Sequence, residues 1–249
     1  MHKLVLLRHG ESLWNLENRF TGWTDVNLTN KGKLEAKNSG ELLKNEKFEF
    51  DQVYTSVLKR AVQTMDICLK EMKLIKLPTI KYEWRLNERH YGNLQGLNKY
   101  DVSKKFGKKQ VLIWRRSYDI PPPPLNINDK RHPRFDKKYE KLNSKDIPLS
   151  ESLKDTVNRL MPLWNNNISK SLKSGKSILI VAHGNSLRAI VKFLDKISNK
   201  DILNLNIPTG IPLIYNLDES LNSISNHYLG NEKKIAKKIN KVKNQTNHS

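Results

Sequence analysis

Apolar residues recur along this chain with two alternating periods, the pattern of strands interleaved with helices. Leu4, Val5, Leu6 and Leu7 form a short apolar run of strand type over residues 3–7, followed by a loop containing Gly10. Residues 29–45 then place Leu34, Leu42 and Leu43 at helical spacing. Residues 52–55 read as a second strand and 57–72 as a helix, because Val57, Leu58, Ala61, Met65, Cys68 and Leu69 repeat with the helical period. After Pro78 comes a brief β-like stretch, 79–82. Between 86 and 147 the pattern breaks up into short predicted helices over 97–105 and 108–117, and the run from Pro121 to Pro124 admits neither helix nor central strand.

The second half repeats the alternation. Residues 150–171 predict a helix with Ser150 as N-cap, which Pro162 should bend or break. A buried strand over 177–182 leads into His183-Gly184, a helix over 186–194 follows, and strands over 211–217 and 223–229 close the pattern. Such alternation predicts an α/β fold, a mainly parallel central sheet with helices on both faces. The last two strands are joined by too few residues for a parallel crossover, so one strand should run antiparallel. Residues 1–230 read as a single α/β domain, and 231–249 as a basic C-terminal tail.

Composition narrows the setting. Apolar residues make up 37% and charged residues 28% of the 249, within the folded class. The formal charge of +20 attracts polyanions of any kind. The lysines are spread along the chain and densest in the tail, without interleaved aromatics, so no specific nucleic-acid partner is expected. One cysteine, Cys68, excludes an intrachain disulfide and a thiolate metal cluster. No apolar run approaches the ~18 residues of a membrane span, so a cytoplasmic protein without a membrane partner is expected.

The informative chemistry is an internal pair. Leu4-Val5-Leu6-Leu7-Arg8-His9-Gly10-Glu11-Ser12 and Ile178-Leu179-Ile180-Val181-Ala182-His183-Gly184-Asn185-Ser186 share one layout, a buried strand ending in His-Gly with a serine two residues on. Ligands of open α/β sheets collect outside the carboxyl ends of strands. Two histidines there, on neighbouring strands, would face one ligand. Glycine permits a close backbone approach with amides turned to an anion. A neutral imidazole can attack phosphorus through one nitrogen while a backbone carbonyl holds the other, and Arg8 supplies fixed charge beside it. A lone histidine at a strand end would be explained by a satisfied hydrogen bond. Arg8 would repel a metal ion at this place, so no metal is expected.

The runs Arg8-His9-Gly10-Glu11-Ser12 and Ala182-His183-Gly184-Asn185-Ser186 resemble the histidine phosphatase superfamily. Phe20-Thr21-Gly22-Trp23, Tyr54-Thr55-Ser56-Val57-Leu58-Lys59-Arg60-Ala61, Leu86-Asn87-Glu88-Arg89-His90-Tyr91-Gly92, Gln95-Gly96-Leu97-Asn98-Lys99 and Trp114-Arg115-Arg116 extend the likeness to the cofactor-dependent phosphoglycerate mutases within it. The resemblance implies interconversion of 3-phosphoglycerate and 2-phosphoglycerate through a phosphohistidine primed by 2,3-bisphosphoglycerate, in a homodimer or homotetramer. By motif position, His9 is the phosphorylated nucleophile, Glu88 the acid/base, and His183, Arg8 and Arg60 the stabilisers of the moving phosphoryl group. Gly10, Glu11, Ser12, Asn15, Thr21, Gly22, Arg89, His90, Tyr91, Lys99, Arg115, Arg116, Gly184 and Asn185 join them in binding substrate.

Taken singly, Glu88 would be an ordinary ion-pair partner, Arg115-Arg116 a solvated helix face and Trp114 core. Two segments depart from the resemblance. Residues 129–143 follow it loosely, with no loss of chemistry expected, and the lysine-rich tail leaves open how well it closes over the site. Another histidine phosphatase and a basic nucleic-acid binder are the rival readings.

Overall fold

The computed structural model describes residues 1–243. The alternating runs fold as β1 (His2–Arg8), α1 (Leu13–Leu16), α2 (Asn30–Asn45), β2 (Gln52–Thr55), α3 (Lys59–Met72), β3 (Thr79–Tyr82), α4 (Lys99–Phe106) and α5 (Lys108–Arg116). After a long loop come α6 (Leu153–Leu163), α7 (Ser169–Lys173), β4 (Ile178–Ala182), α8 (Gly184–Leu194), β5 (Pro212–Leu217), β6 (Ser223–Tyr228) and α9 (Glu232–Lys243).

The strands form one sheet in the order β3-β2-β4-β1-β5-β6. β1 pairs in parallel with β4, β4 with β2, and β2 with β3, whereas β5 is antiparallel to both β1 and β6. The expected single reversed strand is therefore β5, and residues 218–222 make the short return that forces it. Side chains alternate across a strand, so β1 feeds two cores. Leu4 and Leu6 pack with Ile178 and Ile180 against Leu160, Leu163 and Leu187 of α6 and α8. Val5 and Leu7 pack with Leu179 and Val181 against Leu43, Met65 and Cys68 of α2 and α3. Both faces are covered, which explains why β1 and β4 are apolar without interruption. Among the described residues no helix is long and apolar enough to cross a membrane.

Caps set several helix starts. Thr29 Oγ1 accepts the Gly32 amide at 3.0 Å and starts α2. The cap of α6 is Ser152, not Ser150: its Oγ accepts the Asp155 amide at 3.2 Å while Asp155 Oδ2 accepts the Ser152 amide at 2.8 Å. This reciprocal pair outcompetes Ser150, whose Oγ donates to Pro122 O at 2.7 Å and ties down the proline run. Pro162 does not end the helix. A single π-turn, Trp164–Ile168, carries the chain into α7 and keeps Leu163, Trp164, Ile168 and Leu172 buried on one face. α8 begins two residues earlier than its periodicity suggests, because the His183 amide donates to Ser186 Oγ at 3.0 Å and makes His183 the N-cap.

Candidate active site

β1 and β4 run side by side with Arg8 opposite Ala182, so the residues that follow meet beyond the strand ends. The His9 amide donates to Ala182 O at 3.0 Å, and the two imidazoles lie 5.0 Å apart between centroids. Gly10 is required by close approach: a Cβ there would fall 2.2 Å from Gly32 O, whereas one on Gly184 would meet Arg8 at 3.4 Å and Glu88 at 3.6 Å, ordinary contact distances. The Gly10 amide does not face an anion, contrary to the reading of that turn: it donates to Thr64 Oγ1 at 3.1 Å.

His9 Nδ1 lies 2.7 Å from Gly10 O. A carbonyl only accepts, so Nδ1 carries the proton and Nε2 keeps its lone pair. Burial, followed by Arg60 and Arg8, holds this imidazole well below its ordinary range, which keeps it neutral and nucleophilic. His183 Nε2 lies 2.7 Å from Ser56 Oγ, and burial, Arg60 and His9 depress its titration in the same way. Unfolded imidazoles take up protons near pH ~6.5, and these folded ones do not. The stability they hold is complete above that pH and is lost as pH falls below it. Each costs about 1.4 kcal/mol one pH unit lower. We therefore expect urea unfolding at pH 5.5 and 7.5 to show a smaller acid loss in His183→Gln than in the parent, by about 1.4 kcal/mol. An unchanged difference would mean that His183 is protonated in the fold.

A small polar cavity of about 60 Å³ is walled in part by Arg8 and Gly184, the chain neighbours of the two histidines, although neither imidazole lines it. β1 supplies Arg8 to its wall, α1 supplies Asn15, and the following loop supplies Thr21 and Gly22. Glu88 and Tyr91 come from the loop after β3, Lys99 from α4, Arg115 and Arg116 from α5, and Gly184 and Asn185 from α8. Glu88 Oε1 accepts two amides, Arg89 N at 2.8 Å and Asn185 N at 3.0 Å, which fixes its carboxylate at the wall. Among the described residues the lining carries six cations, Arg8, Arg19, Lys99, Arg115, Arg116 and Arg188, against one carboxylate. Burial, then Arg115, Arg8 and Arg116, pushes Lys99 well below its usual value, and burial, then Arg115 and Arg188, does the same to Arg116. Such a cluster is held together at a cost that a bound polyanion removes.

The other expected residues stand behind or outside this wall. Arg60 is buried and donates to Thr24 O and Gly22 O, both at 2.8 Å, so it shapes the 21–24 loop while its charge reaches both histidines. Burial lowers its guanidinium to about 10. Ser12 caps α1 and accepts the Asn15 amide at 3.3 Å. Glu11 faces an outer cleft, paired with Lys31 at 3.0 Å and Lys241 at 3.2 Å. Arg89 donates to Arg115 O at 2.9 Å and lies over the Tyr91 ring. His90 turns away to accept the Gly92 amide at 3.0 Å, and burial lowers its imidazole to about 3.

Sequence reasoning missed Ser56 on His183, and Arg188. Arg188 follows Asn185 by three residues on α8 and donates to Asn185 Oδ1 at 2.8 Å, a helical spacing legible only once the helix start is known. How well the tail closes over the site was left open, and α9 does touch it. Lys238 pairs with Glu35 at 3.0 Å, Arg116 donates to Val242 O at 3.4 Å, and Val242 lines the cavity. The tail is thus helical as far as Lys243, with residues 244–249 outside the described part. Trp114 packs with Val111 and Phe20 in a small core of its own. Among the described residues no group of three or more His, Cys, Asp and Glu side chains converges on a point where an ion could sit.

Two strand-end histidines with a ring of buried arginines define a class of phosphoryl-transfer site, and comparison with known proteins gives the same class. The chain belongs to the histidine phosphatase superfamily, branch 1, whose model matches residues 4–129 and 124–225. It is accordingly an enzyme of phosphohistidine-based phosphoryl transfer. Solved structures share its fold at low identity. A mycobacterial glucosyl-3-phosphoglycerate phosphatase is 21% identical with a TM-score of 0.68, over 92% of this chain and 97% of that one. The alpha-ribazole phosphatase of Shigella flexneri is 20% identical with a TM-score of 0.65, over 92% and 96%.

Proposed function

We propose that this enzyme is a phosphoglycerate mutase that interconverts 3-phosphoglycerate and 2-phosphoglycerate through a phosphohistidine on His9. The observation that carries the reading is the second cation group: Lys99, Arg115 and Arg116 line the same cavity as Arg8 and Glu88. One phosphoryl group needs positioning and charge neutralisation, which Arg8, Arg60 and His183 supply. Further buried cations suit a further anion on the same small molecule, a carboxylate or second phosphate. The small size of the cavity, about 60 Å³, favours a compact acid.

In this reading phosphorylated His9 gives its phosphoryl group to the free hydroxyl, the N–P bond breaking as the new P–O bond forms and Glu88 taking the hydroxyl proton. The original ester P–O bond then breaks as His9 Nε2 forms a new N–P bond, and Glu88 returns the proton to the departing alkoxide. 2,3-bisphosphoglycerate supplies the priming phosphoryl group, and the same cations fit its two phosphates and carboxylate. In this reading α9, whose Val242 lines the cavity, shields the phosphohistidine from hydrolysis.

The test is a coupled assay with 3-phosphoglycerate and a trace of 2,3-bisphosphoglycerate, in which 2-phosphoglycerate should accumulate with little inorganic phosphate. Phosphate release without 2-phosphoglycerate would defeat the mutase reading. It would favour a phosphatase of larger esters, for which the outer cleft of about 850 Å³ beneath α9 has room.

A further inference from the structure

The segment that carries Glu88 belongs to no strand. It joins two single 3₁₀ turns, Trp84–Leu86 and Gly92–Leu94, and crosses the interior with backbone groups that no ladder satisfies. Two side chains remote in sequence satisfy them. Arg159, on α6, donates through Nη1 to Arg85 O at 2.7 Å and through Nη2 to Asn87 O at 3.3 Å and Glu88 O at 3.4 Å. Glu151, just before α6, accepts the His90 amide at 2.8 Å, and its own amide donates to His90 O at 2.9 Å. The two are joined by a fork, Arg159 Nε to Glu151 Oε1 at 2.7 Å and Nη2 to Oε2 at 3.0 Å, with side chains only 6% and 4% exposed.

A buried ion pair is weak as a source of stability, because desolvation offsets its attraction and an apolar pair of similar volume often serves as well. A rigid bidentate pair does something an apolar pair cannot: it offers several directed hydrogen bonds at fixed angles. Here those bonds fall on Arg85, Asn87, Glu88 and His90, on both sides of one carboxylate. Neither Arg159 nor Glu151 lines the cavity or its outer cleft.

We infer that Arg159 and Glu151 are positioning residues for proton transfer: the pair clamps the backbone on either side of Glu88 and so aims its carboxylate at the leaving oxygen. The inference rests on the reading of Glu88 as the proton donor. Displacement of a catalytic group by about 1 Å can cost ~10²-fold, and Glu88 is otherwise fixed at its Oε1 and by the Trp23 Nε1 bond to Glu88 O at 2.7 Å.

The test uses the leaving group as its readout. Departure of p-nitrophenolate from p-nitrophenyl phosphate needs no proton, whereas departure of an alkoxide from glycerol 2-phosphate does. Glu88→Gln sets the reference, with kcat for glycerol 2-phosphate falling about 10³-fold and kcat for p-nitrophenyl phosphate less than about tenfold. Glu151→Gln and Arg159→Met should reproduce that selectivity in weaker form, about 10- to 100-fold on the alkyl ester against threefold or less on the aryl ester, with KM little changed. Arg159→Lys keeps the charge without the fork and should recover only part of the loss. Thermal unfolding of each variant identifies any that do not fold, and Glu151→Gln, nearly isosteric, answers the question if Arg159→Met does not. Equal losses on both esters, or none, in folded Glu151→Gln and Arg159→Lys would overturn the inference while Glu88→Gln keeps its selectivity. A Glu88→Gln variant that lost both activities equally would instead remove the proton-donor reading, and the clamp with it.

Discussion

Replacement of His9 by Gln is expected to lower kcat by about 10⁵-fold or more, since loss of a covalent nucleophile leaves only binding and charge stabilisation behind. The expectation follows from the tautomer. With Nδ1 bound to Gly10 O, Nε2 is the only nitrogen of this ring able to attack, and burial with Arg60 and Arg8 keeps it unprotonated. Gln fills nearly the same space and can still donate to the Gly10 carbonyl, so the fold should survive. Rapid acid-free quenching after exposure to labelled substrate should trap one acid-labile, base-stable phosphate on the parent and none on His9→Gln. Label on another residue of the variant, or activity within tenfold of the parent, would refute His9 as the nucleophile. His183, 5.0 Å away, is the internal comparison. Its Nε2 lies 2.7 Å from Ser56 Oγ, and label found on it in the parent would count against His9.

Arg8→Met is expected to show the second largest effect, a fall in kcat of about 10³-fold or more, the scale on which a transition-state arginine acts in phosphoryl transfer. Arg8 lines the cavity and its charge reaches both histidines, with Nη1 donating to Ile207 O at 2.6 Å and Glu88 close by. Its removal also relieves repulsion among buried cations, so the loss of activity should come without a matching loss of stability. Paired measurements of kcat and Tm decide the matter. A variant that loses activity in proportion to folded fraction would mean that Arg8 serves the fold and not the transferred group.

Much of the architecture was legible because it follows from local sterics. Unbroken apolar runs such as Leu4 to Leu7 imply a strand buried on both faces, and the short link at residues 218–222 implies one reversed strand. The histidine pair was legible for the same reason, since two strands with the same ending place their last residues at the same edge of a parallel sheet. How the chain passes Pro162, which was expected to bend or break the helix, was not legible. Burial of Trp164 and Ile168 favoured a π-turn over termination, and burial depends on what lies opposite. Ser150 was expected as the cap of the same helix, and the Asp155 side chain, reciprocally bonded to Ser152, moves the start to Ser152.

The sequence by itself therefore determined the order of strands and helices, the two His-Gly endings and the stock of cations. Those features depend on periods of two and 3.6 residues and on residue types, which neighbours along the chain set. Only the tertiary structure decided that β4 inserts between β2 and β1, that Ser56 holds His183, that Arg60 acts from behind the wall, and that Glu151 and Arg159 grip the Glu88 segment. Ser56 and His183 are 127 residues apart. A hydrogen bond across such a distance is fixed by how the sheet and its helices pack, and no local period encodes it.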